Sequence, residues 1–400
     1  MSAVSVTRIA PPSRSRRTTR SAVAACAVLG LLAACGSSDD PASSDDPADA
    51  SQPTSAPATT VLATTVPSTV AVTTTTAPPD TTTTTEVPAS ELTITVPTNI
   101  PAPAARTITE LLEIERPLII AHAGGDQELP HSTPYAYAMS ALAGVDMLEM
   151  DVQLTGDGVL IVHHDDTTEG TTGVVGALRD MAYAEIVALD NAWWYQPGCW
   201  PCRDDDASAY PLRGVRTGDT TAPEGFMRDD FAVARFIDIA TAYPDHPLDI
   251  EIKVQRGADG EMDPSTGIAA AAELARLIDE LDRTDSVIVT SFNDDVVAAF
   301  RDLAPDVATS PGLNALTQWF LAGGKLHPSD LVLQVPPEYT GIEVMSPDLT
   351  ARAHDEGYDV WVWPNGASQE NPEFYQAMFD MGADGIIAGS PLAAVEAAGS

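Results

Sequence analysis

The sequence predicts an α/β fold, an irregular (β/α)8 barrel preceded by a disordered tether, and three observations lead there. From about residue 106 to residue 400, short β-branched apolar runs alternate with amphipathic stretches of helical length. That span is long enough for one large domain with a full core. Its charged residues interrupt apolar runs near their C-terminal ends, the edge where such barrels keep their sites.

The strands expected in order are 118–122, 146–152, 159–163, 248–253, 286–291, 306–309, 331–335, 359–363 and 384–388, each a short run rich in Val, Ile and Leu. Helices are expected at 134–143, 228–242, 268–281, 294–303, 347–356 and 372–381. Nine strands compete for eight places, so one of those near Asp306 and Leu331 is expected to be accessory. Between Asp151 and Val159 there is no room for a crossover helix, and Thr155-Gly156-Asp157-Gly158 reads as a tight turn. The barrel should therefore be irregular on that side.

Ahead of this region the chain opens with Arg8, Arg14, Arg16, Arg17 and Arg20, followed by an apolar run over 21–34 that is too short to span a bilayer. The run ends Leu32-Ala33-Ala34-Cys35, which resembles a bacterial lipoprotein signal in which Cys35 is lipidated and becomes the mature N-terminus. An ordinary signal peptide cut elsewhere is the alternative, and either sends the protein out of the cytoplasm. Residues 35–105 are Thr-, Ser-, Pro- and Ala-rich with almost no aromatics. Such a composition buries too little apolar surface to offset its ordering entropy, and it suits O-glycosylation. At about 3 Å per residue an extended tether would reach roughly 200 Å. The expected organisation is thus signal 1–34, lipidated linker 35–105 and catalytic barrel 106–400.

The chain carries 20 basic and 58 acidic residues, a formal charge of −38. Loss of residues 1–34, which hold five arginines and no acid, makes the remainder more acidic still. That balance argues against nucleic acid and anionic membrane surfaces as partners, and it suits divalent cations or a salty medium. A merely solvated acidic surface accounts equally well for most of these residues. Only two lysines occur, Lys253 and Lys325. Of the four cysteines, Cys26 leaves with the signal and Cys35 is the lipid site. Outside the cytoplasm Cys199 and Cys202 are expected to form a disulfide. A zinc site would need further soft ligands, and a redox motif would need a helix start that this segment lacks.

Two polar pairs stand out. Glu149 and Asp151 in LEMDV, and Glu251 and Lys253 in LDIEIKV, are spaced i, i+2 within apolar runs, so on a strand each pair shares one face. Burying such charges costs several kcal/mol per ion unless they are paired or bind a metal. A divalent cation is the economical reading. His122 precedes these pairs, and the run His163 to Asp166 lies between them.

The order His122-Ala-Gly-Gly, Pro130-His-Ser-Thr, LEMDVQLTGDG, VHHDDT, EIK, Ser291-Phe292, Trp363 and Ala383-Asp-Gly-Ile resembles the glycerophosphodiester phosphodiesterase family over about residues 117–391. The resemblance implies a (β/α)8 barrel with one divalent cation, Ca2+ or Mg2+, held by Glu149, Asp151 and Glu251. It further implies His122 and His164 as catalytic acid and base, and Lys253 facing the phosphate, with His131 and Trp363 beside the substrate. A phosphodiester asks for the same set independently: charge neutralisation, a base, and an acid for a poor alkoxide leaving group. The chain departs from the family where Ala123 replaces an arginine, His131-Ser132 replaces Glu-Asn, and Ala388-Gly-Ser-Pro391 replaces TDxP. His131 offers a donor that Ala123 cannot.

Plainer roles compete for several residues. Strand alternation turns His163 away from His164 and makes it structural. His131 could cap the helix at Pro134. Trp193, Trp194 and Tyr195 pack an insertion on the barrel, Asp165 orients His164, and Asp204 to Asp206 with Asp229 and Asp230 are loop charge. The expected function is hydrolysis of glycerophosphodiesters to glycerol 3-phosphate and an alcohol by a lipid-anchored extracytoplasmic enzyme. The alternatives are phospholipase D-like cleavage of lysophospholipids or sphingolipids, and a surface binding module that has lost catalysis.

Overall fold

The computed structural model describes residues 92–398 other than 201 and 204. The signal segment, Cys35 and most of the linker lie outside the described residues. The strands are β1 (Leu118–Ala121), β2 (Met147–Leu154), β3 (Leu160–Val162), β4 (Leu248–Ile252), β5 (Val287–Thr290), β6 (Ala308–Thr309), β7 (Val332–Val335), β8 (Glu338–Tyr339), β9 (Ile342–Glu343), β10 (Asp359–Val362) and β11 (Gly385–Ala388). Eight run parallel in the order β6-β5-β4-β2-β1-β11-β10-β7. A parallel bridge between Thr309 and Asp330, with the Leu331 N–H donating to the Thr309 carbonyl, brings the two ends together. The result is a nearly closed (β/α)8 barrel.

The accessory strand is β3. It pairs antiparallel with β2, Val152 opposite Val162 and Leu154 opposite Leu160, whereas both β6 and β7 belong to the barrel. This corrects the expectation that a strand near Asp306 or Leu331 would be the extra one. The cause is local: the turn at Thr155 to Gly158 reverses the chain, and the Thr155 hydroxyl accepts from the Val159 N–H at 3.0 Å. A reversal makes an antiparallel neighbour, which cannot enter a parallel barrel.

Alternation along each strand divides the structure into two layers. Leu148, Met150, Val152, Ile250 and Ile252 face outward into the core shared with the helices. The opposite parity faces the barrel axis. Leu118, Ile120, Met147, Ile288, Val332, Trp361 and Ile387 fill its lower half, plugged from below by Ile108 and Leu111 of the short helix Ile108–Leu112. Gly385 makes room for the buried Trp361, because a β-carbon there would meet the indole at 2.9 Å. One step up each strand the same parity delivers His122, Glu149, Asp151, Asp249, Glu251 and Lys253 to the C-terminal mouth. An apolar floor thus lies directly below a polar ceiling.

The helices Pro134–Ala143, Asp294–Leu303, Pro347–Glu356 and Pro372–Asp380 lie where patterning puts them. Asp263 caps Ser265, so the next long helix begins at Pro264 rather than 268 and runs to Glu280. The expected helix over 228–242 is instead a 3-10 turn, Arg228–Phe231, and a helix, Phe236–Ala242. Strand β3 takes the backbone in between: Val162 N–H donates to the Ala234 carbonyl, and Ile161 bridges Arg235. Helices Leu313–Ala322 and Pro391–Ala398 were not anticipated. Residues 92–105, assigned by composition to the linker, lie along the barrel: Leu92, Ile94 and Ile100 pack on the core, and Thr95 N–H donates to Asp230 at 2.7 Å. The packed chain therefore begins before residue 106, because these apolar residues find a surface to cover.

Candidate active site

Strands β2 and β4 build the centre. Their register sets Glu149 beside Asp249 and Asp151 beside Glu251, so four carboxylates share the barrel-facing side of two neighbouring strands. Lys253 answers that charge, its ammonium 3.0 Å from Asp151 Oδ1 and 2.8 Å from Glu251 Oε1. Burial alone would raise the Asp151 pKa, but Lys253, with His164 and His122, pulls it down to about 2. Glu149 goes the other way. Burial and the adjacent Asp151 charge push it well above the usual carboxylate range, and Glu149 Oε2 accepts the Ala123 N–H at 2.5 Å.

His122 begins the turn after β1, with Nδ1 3.3 Å from Asp126 Oδ2. Burial opposes its charge, but Asp126, Glu149 and Asp151 outweigh burial and raise its pKa well above the ordinary value. Ala123 and Ser132 hold φ of 45° and 56°, conformations costing roughly 1 kcal/mol or more for residues with a β-carbon. They are tied together by the Ser132 N–H donating to the Ala123 carbonyl at 2.7 Å.

His164 presents the matching arrangement, its Nδ1 2.9 Å from Asp165 Oδ1 and its side chain 45% exposed. Burial would raise the Asp165 pKa, and the hydrogen bond and charge of His164 overcome this to hold it well below normal. His163 points the other way. It is fully buried, with Nε2 3.1 Å from the Thr167 carbonyl, and burial lowers its pKa. His131 is also buried, its ring centre 4.1 Å from that of Trp200 in an edge-on contact, and burial depresses its pKa to about 4. It therefore sits neutral beneath Trp200. Trp363 stands after β10 with its ring 6.0 Å from exposed Phe292. Cys199 and Cys202 are disulfide-bonded, Cα to Cα 5.5 Å.

Four residues at the site escaped the sequence reading. Asp249 is buried, bonded to Gln334 at 2.8 Å, and raised by burial to about 7; the alternation that singled out Glu251 applies equally two residues earlier. Gln153, two residues after Asp151, donates to the carbonyls of His163, His164 and Asp165 at 3.0, 2.7 and 2.8 Å and so holds the whole turn. Asp126 is the partner of His122. Glu370 accepts the Gly389 N–H at 2.8 Å and is raised by burial, then by Asp126, to about 7. Nothing local in the sequence marks Glu370, because only the fold brings the segment after β10 to His122.

The donor set of Glu149, Asp151 and Glu251 is hard oxygen, suited to Ca2+ or Mg2+. Asp151 Oδ2 is buried with no hydrogen-bond partner, an acceptor turned toward a missing donor or ion. Among the described residues, however, no three His, Cys, Asp or Glu side chains are gathered as a metal site. The ammonium of Lys253 occupies the position between Asp151 and Glu251. A divalent cation fits the chemistry of these donors, and Glu149, Asp151 and Glu251 are the residues that would hold it.

Residues 122–393 match the family model described as the glycerophosphoryl diester phosphodiesterase family. A glycerophosphodiester phosphodiesterase of Caldanaerobacter subterraneus subsp. tengcongensis is 25% identical over 279 residues, spanning 68% of this chain and 94% of that protein. The glycerophosphoryl diester phosphodiesterase domain of an uncharacterized Mycobacterium tuberculosis protein superposes with a TM-score of 0.52 at 18% identity, over 70% of this chain and 99% of that one. A phosphodiesterase of Oleispira antarctica, solved with the product sn-glycerol-3-phosphate, gives 0.53 at 16% identity over 71% and 98%. At such identities the structural likeness speaks for the barrel alone.

Proposed function

The chain belongs to the glycerophosphoryl diester phosphodiesterase family, and from that premise we propose that this phosphoric diester hydrolase cleaves glycerophosphodiesters to glycerol 3-phosphate and an alcohol with His122 and His164 as the proton-transfer pair. The observation that carries this reading is that His122 follows β1 and His164 follows β3, both strands that pair with β2, so both imidazoles lie at the end of the barrel where Glu149 and Asp151 sit. Two histidines thus converge on one carboxylate cluster at the barrel mouth. In each, a carboxylate faces Nδ1, Asp126 for His122 and Asp165 for His164. That fixes the ring and leaves Nε2 for the substrate. One Nε2 takes the proton of the attacking hydroxyl or water, and the other gives a proton to the departing oxygen.

Glu149, Asp151 and Glu251 would hold one divalent cation, which when bound supplies charge neutralisation at a phosphoryl oxygen. Lys253 bridges Asp151 and Glu251, and with their charge taken up by a cation its ammonium would be available to the phosphate. Phosphorus NMR of products from glycerophosphocholine, with and without chelator, tests the reading. Glycerol 3-phosphate formed only without chelator is expected, and no turnover with Ca2+, Mg2+ or Mn2+ sinks it. Exposed Phe292, two residues past β5, and exposed Ile342 in β9, part of the hairpin that follows β7, favour a second reading in which an acyl chain lies at the rim. Turnover of lysophosphatidylcholine alone would select it.

Gly170 provides a separate check on His164. A β-carbon at this position would overlap Asp165 Oδ2, so Gly170→Ala should displace that carboxylate and disturb the hydrogen bond its other oxygen makes to His164. Losing a charge-assisted hydrogen bond of about 1.5–3 kcal/mol predicts roughly a tenfold or greater fall in kcat. The pH–rate profile should shift with it, while Tm changes little. An unaltered profile would remove Asp165 from the mechanism.

Export with a lipid anchor at Cys35 completes the proposal. The Cys199–Cys202 disulfide supports an oxidising compartment. Among the described residues no helix is long and apolar enough to cross a membrane. Metabolic labelling with radioactive palmitate should mark the parent protein and not Cys35→Ser.

A further inference from the structure

We propose that Arg203, carried on the disulfide-closed loop, is the guanidinium that binds the substrate phosphate on the His164 side of the mouth. The proposal rests on the hydrolase reading above. An anionic diester is held best by several cationic donors, and Lys253 lies on the Asp151 and Glu251 flank. The position after His122, within reach of the centre, is Ala123 and offers only its backbone N–H, which Glu149 already accepts.

The loop is held against the site at two points and closed on itself by a disulfide. Gly198 N–H donates to the Gln127 carbonyl at 2.6 Å, in the segment that follows His122. Trp200 packs edge-on against His131 with ring centres 4.1 Å apart. The Cys199–Cys202 bond closes the loop immediately before Arg203. From there the guanidinium reaches the His164 turn. Its Nη2 lies 3.3 Å from where a β-carbon of Gly170 would stand, a point that Asp165 Oδ2 also crowds. The other oxygen of Asp165 holds His164. Arg203 is therefore one carboxylate away from the imidazole.

Its present ion pair is weak. Nη1 is 3.5 Å from Glu169 Oε1, with side chains 35% and 44% exposed, a contact worth at most about 1 kcal/mol. A guanidinium in that state can exchange the carboxylate for the bidentate geometry that a phosphate offers. Arg256 also borders the His163–Asp166 run but is spent differently. Its backbone N–H donates to Asp166 Oδ2 at 3.0 Å and its Nε stands 3.8 Å from the same oxygen, so it pairs with Asp166 and not with the Asp165 that holds His164.

The test compares the parent protein with Arg203→Gln, Arg203→Lys and Arg256→Gln. The Kd for sn-glycerol 3-phosphate is read by titration calorimetry, and KM with glycerophosphocholine by product formation. Arg203→Gln is expected to raise Kd and KM about ten- to a hundredfold, with a smaller change in kcat. Arg203→Lys should recover part of the loss, and Arg256→Gln should stay within about threefold of the parent protein. Dithiothreitol should raise KM in the parent protein but not in Arg203→Gln. Kd and KM of Arg203→Gln within twofold of the parent protein, or equal losses in Arg203→Gln and Arg256→Gln, overturn the proposal. A parent protein that turns over no diester, yet loses product affinity through Arg203→Gln, would reject the hydrolase reading and leave the anion site standing.

Discussion

Alanine at His122 or at His164 is expected to lower turnover by on the order of 10²- to 10⁴-fold, and the double variant to lose little more than either single one. The two imidazoles serve opposite sides of one phosphorus, so removing either stalls the same displacement. Each is held through Nδ1 by its own carboxylate, Asp126 or Asp165, and neither contributes to the apolar core, so both variants should remain folded. His163→Ala is the contrasting control. That ring is fully buried and bonds the Thr167 carbonyl, so its loss should cost about 2–3 kcal/mol of stability through a cavity and a lost hydrogen bond. Activity should largely persist at temperatures where the variant is folded. Steady-state kinetics with chemical denaturation on all four proteins decides the matter. An active His164→Ala protein, or a folded but inactive His163→Ala protein, would exchange the roles of these neighbours.

Much of this site was legible because strand alternation is a strict rule. The i, i+2 spacing of Glu149 and Asp151, and of Glu251 and Lys253, can serve a half-apolar strand only by facing the barrel axis, and the structure puts them there. The same rule separated His163 from His164. Asp249 and Gln153 continue the two series on the same face. Asp126 and Glu370 fall outside any such rule. Their place beside His122 depends on how the loops after β1 and β10 fold back, and neither periodicity nor local propensity encodes that. In the fold, β3 was recognised as a strand but not as the accessory one, although the turn that reverses it was read correctly. A tight turn is a local signal, whereas the direction of the strand it returns shows only in the pairing. The helix expected over 228–242 failed because its backbone was claimed by β3, a competition between distant segments.

The two acids of β2 are expected to part ways in the absence of metal and to agree in its presence. Asp151 carries a charge that Lys253 stabilises, so Asp151→Asn strands part of a buried ammonium. Glu251 remains as a partner for Lys253, which limits the cost to about 2–3 kcal/mol, at the lower end for breaking a buried pair. Because the folded pKa of Asp151 lies below its unfolded value, this contribution is present above about pH 4 and fades as pH falls toward about 2. Glu149 has the opposite sign. Its charge is disfavoured by burial and by Asp151, so Glu149→Gln should leave the metal-free protein as stable as the parent or slightly more so. Added Ca2+ or Mg2+ should raise the Tm of the parent protein, since a cation neutralises both carboxylates, and it should fail to do so in either variant. Both variants should lose on the order of 10³-fold or more in activity, with partial recovery at high metal concentration. Thermal melts and turnover measured across a metal titration test the scheme. A variant that keeps the parent's metal-dependent rise in Tm but has no turnover would move that acid from metal binding to proton transfer.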